Sequence, residues 1–351
     1  MQASLFIWLS LCVVGVECVY IYFNIIFSHL RDTVINTLAF KPPSKRGYLL
    51  ASDGTFLLDH KLWPSVSVNK ALSAHGLVCD HTFLSGKRGK RISSIYLRHT
   101  DSSVSVCVPR LLIIFSHGNS TDLGYMFTCY VNLCRCLDVD VFAYDYSGYG
   151  LSEGKVGEKN MYRDIEYVYD YVRNELDVSP ENIILYGNSL GSAPSCYLAS
   201  MPDKYPIGGL ILDAPLASAI RLQLRNLSKT PRFDAFVNVE FLKAKDLYPT
   251  LIIHGTSDGV IPIDHAIELA SIVECRHRDL LSSCSVDPGT FVSAPFSFRD
   301  SCIDLVKTPE DYLRTWWVSG AGHNNIQIDN SEAYIRTMKT FIELCRSWRC
   351  M

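Results

Sequence analysis

The stretch Ile183-Ile184-Leu185-Tyr186-Gly187-Asn188-Ser189-Leu190-Gly191 decides the reading of this chain. A short continuous apolar run of this kind reads as a buried strand. It passes directly into a serine placed between two glycines, followed by the small-residue segment from Ser189 to Ser200. A strand that turns sharply into a helix leaves no room for Cβ atoms on either side of the turn, and Gly187 and Gly191 remove them. Ser189 then projects from the end of a sheet as a candidate nucleophile. A bland tight turn would use the same residue types, so the assignment depends on what surrounds it.

From Leu111 onward a rhythm supplies that context. Short apolar runs at Leu111–Phe115, Val139–Tyr144, Ile183–Tyr186, Gly209–Leu212, Thr250–His254 and Thr315–Val318 alternate with segments long enough for helices. Such runs indicate parallel strands covered on both faces, hence a doubly wound α/β sheet. Two helices follow from spacing. Ile165, Val168, Tyr169 and Val172 form one apolar stripe within Glu158–Glu175. Tyr334, Met338, Phe341, Ile342 and Cys345 form another after Asn330, a suitable N-cap. Before this rhythm, alternating runs at Tyr48–Leu58 and Arg91–Arg98 read as strands, and Ser65 to Lys90 reads as a long loop with strand fragments. The interval from Cys275 to Arg314 has no clean period and reads as an insertion loop. The expected organisation is therefore an N-terminal membrane segment over 1–30, a linker with N-terminal strands over 31–90, and a catalytic domain over 91–351 that contains the 275–314 insertion.

In an open parallel sheet, ligands bind beyond the carboxyl ends of the strands. Four groups of candidates fall there: His117-Gly118-Asn119, Ser189, Asp258 and His323. A serine hydroxyl needs a base as it attacks, and His323 can serve because an imidazole titrates near neutrality. Asp258 would hold the ring in the right tautomer and stabilise the imidazolium. The oxyanion would be met by the backbone N–H of Leu190 and by that of Asn119, with His117 and Gly118 shaping the supporting loop. Plainer roles compete: Asp258 as a cap on the turn before Ile261-Pro262, Asp122 as a loop anchor, and Asp213 as a rival acid. Serine, acid and histidine nonetheless occur in the chain order that hydrolases of this architecture use.

Composition narrows the alternatives. The 351 residues carry a net charge of −3, with Lys+Arg 33 against Asp+Glu 36, and no basic stripe suggests a nucleic-acid partner. Thirteen cysteines follow no disulfide framework and no zinc spacing, so neither a metal nor any other cofactor is expected. Ala3 to Phe27 is apolar apart from Glu17, Asn24 and small polar residues, long enough to cross a bilayer as one helix, with a cleaved signal peptide and a buried first helix as the competing readings. No Lys or Arg precedes that run, whereas Arg31, Lys41, Lys45 and Arg46 follow it. This asymmetry places the body of the protein on the cytosolic side. Cys12 and Cys18 within the run read as lipid-facing side chains, with acylation as the alternative.

Five segments together resemble one family: Phe115–Gly124, Tyr144–Gly150, Ile184–Gly191, Leu251–Asp258 and Gly320–Asn324, with smaller echoes in Leu38–Pro43 and Phe233–Phe236. They look like the alpha/beta hydrolase domain-containing protein 17 family, whose members are membrane-associated serine hydrolases that remove palmitate from protein cysteines. The resemblance implies an α/β-hydrolase fold with a triad at Ser189, Asp258 and His323, and S-acylated membrane proteins as substrates. Two features depart from the family pattern. The N-terminus has an apolar segment in place of a cysteine-rich one, and the 275–314 stretch is longer. The interval from Asp213 to Thr250 is too short for a large lid, so a small or absent cap is expected. Two other readings keep the fold: a lipid or small-ester esterase with the same triad, and an inactive membrane scaffold.

Overall fold

The computed structural model describes residues 30–59, 68–86, 89–100, 109–224, 227, 229–244, 248–283 and 312–349. The apolar run Ala3–Phe27 and most of the 275–314 interval lie outside these residues. Among the described residues, no helix is long and apolar enough to cross a membrane.

Helix α1 (30–39) comes first, followed by a hairpin of β1 (Tyr48–Leu50) and β2 (Phe56–Leu58). Gly54, at φ +85°, lies in the turn, a region open to glycine for want of a Cβ. Helix α2 (Val68–Ser73) and strand β3 (Leu77–Ser85) occupy the region expected to be a loop. β3 pairs antiparallel along its whole length with β4 (Arg91–His99). It lies at the edge of the sheet and carries Asp80, His81 and Thr82, so it lacks the unbroken apolar run that reveals a central strand. The sheet therefore begins before residue 91.

The main sheet has eight strands in the order β10-β9-β8-β7-β5-β6-β4-β3. Six of them, β5 (Leu112–Ser116), β6 (Asp140–Tyr144), β7 (Ile183–Asn188), β8 (Gly209–Asp213), β9 (Thr250–Gly255) and the edge strand β10 (Leu313–Val318), are paired in parallel. β4 runs against them. The pleat sends alternate side chains to opposite faces, and the two faces hold two cores. Leu112, Ile114, Ile183 and Leu185 join one core, whereas Ile113, Phe115, Ile184 and Tyr186 join the other. The first core is covered by α4 (Glu158–Asn174), α5 (Ser192–Ala199) and α7 (Asp264–Ser283). The second is covered by α3 (Phe127–Leu137) and α9 (Ser331–Arg349), which follows the short α8 (Ile326–Asp329). The stripes read from sequence on α4 and α9 are the buried faces of both helices. Asn330 precedes α9, and its carbonyl accepts the Tyr334 N–H at 2.8 Å.

Two boundaries differ from expectation. Cys275–Ser283 is the last part of helix α7 and Leu313–Arg314 opens β10, so both ends of the supposed insertion are regular structure. Between Asp213 and Thr250, the described residues hold only a 3-10 turn, Ile220–Leu222, and the single-turn α6 (Asn238–Phe241).

From β5 the chain moves outward to β6, then crosses back to β7 on the other side of β5. The carboxyl ends of β5 and β7 therefore flank the point where the winding direction reverses. That is where a doubly wound sheet opens a crevice for ligand.

Candidate active site

Ser189 leaves β7 with φ +51°, a left-handed conformation costly for a residue with a Cβ. Its neighbours hold it there. A Cβ added at Gly187 would sit 2.6 Å from the Gly191 carbonyl oxygen, and one at Gly191 only 2.0 Å from that of Ser116. Both glycines are thus required by backbone-to-backbone approach. A 3-10 turn, Ser189–Gly191, then leads into α5, where Ser192 Oγ donates to the Ser189 carbonyl at 2.7 Å. Leu190, buried at this helical start, places its N–H where helix geometry leaves a donor for an anion.

The imidazole comes from the loop after β10. His323 Nε2 lies 2.8 Å from Ser189 Oγ, and His323 Nδ1 lies 2.7 Å from Asp258 Oδ2. A carboxylate only accepts, so Nδ1 carries the ring proton and Nε2 is left to receive the serine hydroxyl. Asp258 makes the contacts that both of its competing readings require, one set with each oxygen. Oδ1 accepts the N–H groups of Val260 (2.8 Å) and Ile261 (2.9 Å), which caps the turn. Oδ2 faces His323.

A second imidazole reaches the same oxygen. His254, fully buried on β9, has Nε2 at 3.3 Å from Asp258 Oδ2 and at 2.8 Å from the Ile261 carbonyl. The carbonyl can only accept, so Nε2 is the protonated nitrogen of His254. Burial pushes the Asp258 carboxyl up, but hydrogen bonds from His254, His323 and the Ile261 N–H outweigh it. The group is held well below the usual carboxylate range.

Asp213, the rival acid, is engaged by other partners. Its Oδ2 accepts from the Tyr186 hydroxyl (2.7 Å) and from Gln327 Nε2 (3.0 Å), while burial pushes its carboxyl above the usual value. Asp122 is a loop anchor, accepting the N–H groups of Gly47, Gly124 and Tyr125 at 2.8, 2.9 and 3.1 Å.

The loop after β5 lies against the serine turn. A Cβ on Gly118 would come within 2.8 Å of Asn188 Oδ1 and 3.7 Å of Ser189 Cβ. His117 is fully buried. Its Nδ1 meets the Gly118 carbonyl at 2.7 Å, and its Nε2 lies 3.2 Å from Asp145 Oδ1. The His117 carbonyl accepts the Tyr146 hydroxyl at 2.5 Å. The ring therefore braces the loop from beneath. Asn119 is braced from the other direction, by contacts invisible in the sequence. Its Oδ1 accepts the Lys41 N–H at 2.9 Å and the Tyr149 hydroxyl at 2.7 Å, and its Nδ2 donates to the Ala39 carbonyl at 2.6 Å. These ties run to the end of α1.

Sequence reading missed His254, Asp145 and this Asn119 clamp. His254 and Asp145 sit within the quoted motifs, so a signal existed for them. The clamp joins positions 78 and 80 residues apart, and no local pattern announces it. As an arrangement, the rim offers a hydroxyl, a base with its proton on the far nitrogen, and an ionised acid fixing that tautomer. This set can activate an alcohol toward an acyl carbonyl.

Known proteins carry related sequences and the same fold. A family model described as serine aminopeptidase, S33, matches residues 108–232. Alpha/beta hydrolase domain-containing protein 17C of Mus musculus is 36% identical over 255 residues, 73% of this chain and 65% of that protein. The matched region thus spans just under two thirds of that relative. Its 17B counterpart in Homo sapiens is 33% identical over 255 residues, covering 73% of this chain and 72% of the relative. Among solved structures, an esterase of Pyrococcus furiosus superposes with a TM-score of 0.54 at 15% identity, over 78% of this chain and 94% of its own. Est1E of Butyrivibrio proteoclasticus gives 0.51 at 16% identity, over 74% and 97%. These two likenesses speak to fold: the eight-stranded α/β-hydrolase sheet. The identities to 17C and 17B place this chain in the alpha/beta hydrolase domain-containing protein 17 family.

Proposed function

We propose that this α/β hydrolase cleaves S-acyl thioesters, palmitoyl thioesters among them, on membrane-associated proteins at the cytosolic surface. The observation that carries the proposal is the chain of contacts from Ser189 Oγ through His323 to Asp258, at 2.8 and 2.7 Å. Ser189 Oγ attacks the thioester carbonyl carbon while its proton passes to His323 Nε2. The carbonyl oxygen becomes an oxyanion, received by the N–H groups of Leu190 and Asn119. The C–S bond then breaks, the cysteine sulfur takes the proton from His323, and an acyl-Ser189 ester remains. Water loses a proton to His323 as it attacks that ester. Collapse restores the serine hydroxyl and releases the fatty acid.

Support for a protein-borne substrate comes from the sparse structure between Asp213 and Thr250. Among the described residues this interval holds no broad lid, which suits an acylated tail presented from a bilayer, and the family resemblance points to the same substrate class. The test uses the intact chain in cells. Fluorophosphonate labelling is expected for the wild type and lost in Ser189→Ala, with palmitate turnover on membrane proteins falling in parallel. Labelling retained by a folded Ser189→Ala variant would remove the nucleophile assignment. Labelling lost with palmitate turnover unchanged would move the substrate to lipid or small esters.

A further inference from the structure

Helix α1 turns its charges inward. Its exposed positions are Leu30, Thr33, Val34, Thr37 and Leu38, spacings of three and four that lie along one helical face. No charge is present on that face. Leu30, Val34 and Leu38 stand 61%, 55% and 69% exposed. The ionic residues lie elsewhere. Arg31 donates to Glu158 Oε2 at 2.8 Å, to the Phe233 carbonyl at 3.2 Å and to the Asp234 carbonyl. Asp32 pairs with Arg31 and Lys159. Ile35 and Ala39 pack against the core. A helix lying on a protein in water shows apolar residues to the core and charges to the solvent. Here the outer face is aliphatic and threonine, a composition that water does not explain.

The sequence on either side indicates what does. The apolar run Ala3–Phe27 ends shortly before Leu30 in the sequence. A chain leaving a bilayer there delivers its next ten residues to the interface. Exposed Lys41, Lys45 and Arg46 follow directly, and basic residues at this position favour an anionic leaflet. An uncharged face next to a basic cluster, immediately after a spanning-length run, matches the way an interfacial helix seats itself.

We propose that the face formed by Leu30, Val34 and Leu38 docks on an anionic lipid interface, and that Asn119, gripping Ala39 and Lys41, holds the active-site rim in register with that surface. The proposal deepens the reading of function above and rests on its membrane attachment. Phe233, 51% exposed, is fastened by its carbonyl to Arg31 of the same helix. An acyl chain drawn from the bilayer then has a fixed approach to Ser189.

The deciding experiment needs no catalysis. The full chain, carrying photoreactive benzoylphenylalanine in place of Val34, is reconstituted in phosphatidylcholine–phosphatidylserine vesicles and irradiated. The expected product is a peptide containing position 34 with the added mass of one phospholipid. An adduct to a second copy of the chain, an adduct to another part of the same chain, or no lipid adduct overturns the proposal. None of these outcomes depends on whether thioesters are the substrate. A second measurement uses Val34→Glu with Leu38→Glu. Turnover of an S-acylated lipopeptide in vesicles is expected to fall about tenfold, with hydrolysis of a water-soluble short ester unchanged. Equal loss on both substrates, or loss on neither, counts against docking.

Discussion

The end of β7 and helix α1 are built on opposite principles. At the serine turn nearly every atom is constrained: Ser189 sits at positive φ, Gly187 and Gly191 touch backbone, and α5 behind them is buried at all positions but Tyr197. Helix α1 is held by polar ties through Arg31 and Asp32 and by the packing of Ile35 and Ala39, and Leu30, Val34 and Leu38 on its outer face are exposed. The difference separates two jobs. Packing around the sheet fixes the chemistry, whereas a lightly fastened helix positions that chemistry relative to its substrate. The Asn119 clamp is where the two meet.

Substitutions at either end of that contrast test it. The largest effect is expected from Asp258→Asn, which keeps the shape but removes the acceptor charge that fixes the His323 tautomer. Turnover should fall on the order of 10³–10⁴-fold with folding intact, measured on a soluble ester. A loss below about tenfold would mean that His254 or another group orients the ring. Next is Gly191→Ala. Its Cβ would meet the Ser116 carbonyl oxygen at 2.0 Å, and the backbone has no slack there, so a loss of about 3 kcal/mol or more is expected by denaturant unfolding. A neutral result would show that the serine turn is looser than its contacts imply.

Asn119→Ala sharpens the comparison. It keeps the backbone N–H and frees the loop from α1, so kcat is expected to drop roughly tenfold to a hundredfold while the melting temperature moves little. Equal falls in stability and activity would make the clamp merely structural. The smallest effect concerns pH. The Asp258 carboxyl is held below its ordinary value of 3.8. A depressed acid stabilises the fold fully above that ordinary value and loses its contribution as pH falls through the folded one. The stability difference between wild type and Asp258→Asn should therefore narrow below about pH 4, in denaturant titrations across that range. A difference that widens there would contradict the sign.

Legibility followed how local each signal was. Central strands showed themselves because burial on both faces demands continuous apolar residues. Ser189 showed itself because only glycine fits beside it. β3 stayed hidden because an edge strand tolerates Asp80 and His81, and its pairing with β4 is a property of two segments. Asp213 and Asp258 were both acids at strand ends, equally placed by sequence. Tyr186 and Gln327 occupy the first in the folded chain, leaving His323 to the second.

By itself, the amino-acid order determined the parallel α/β sheet, the serine turn, and the set of groups that could gather at the strand ends. These are consequences of periodicity, of missing Cβ atoms, and of parallel strands whose carboxyl ends share one edge of the sheet. Only the tertiary structure decided which acid meets His323, that His254 shares that acid, and that Asn119 ties the rim to α1. The first and the last depend on distances between segments remote in sequence, and the second on how the turn after β9 brings a residue four positions back onto the same oxygen; hydrogen bonds of about 3 Å select among partners that composition leaves equivalent.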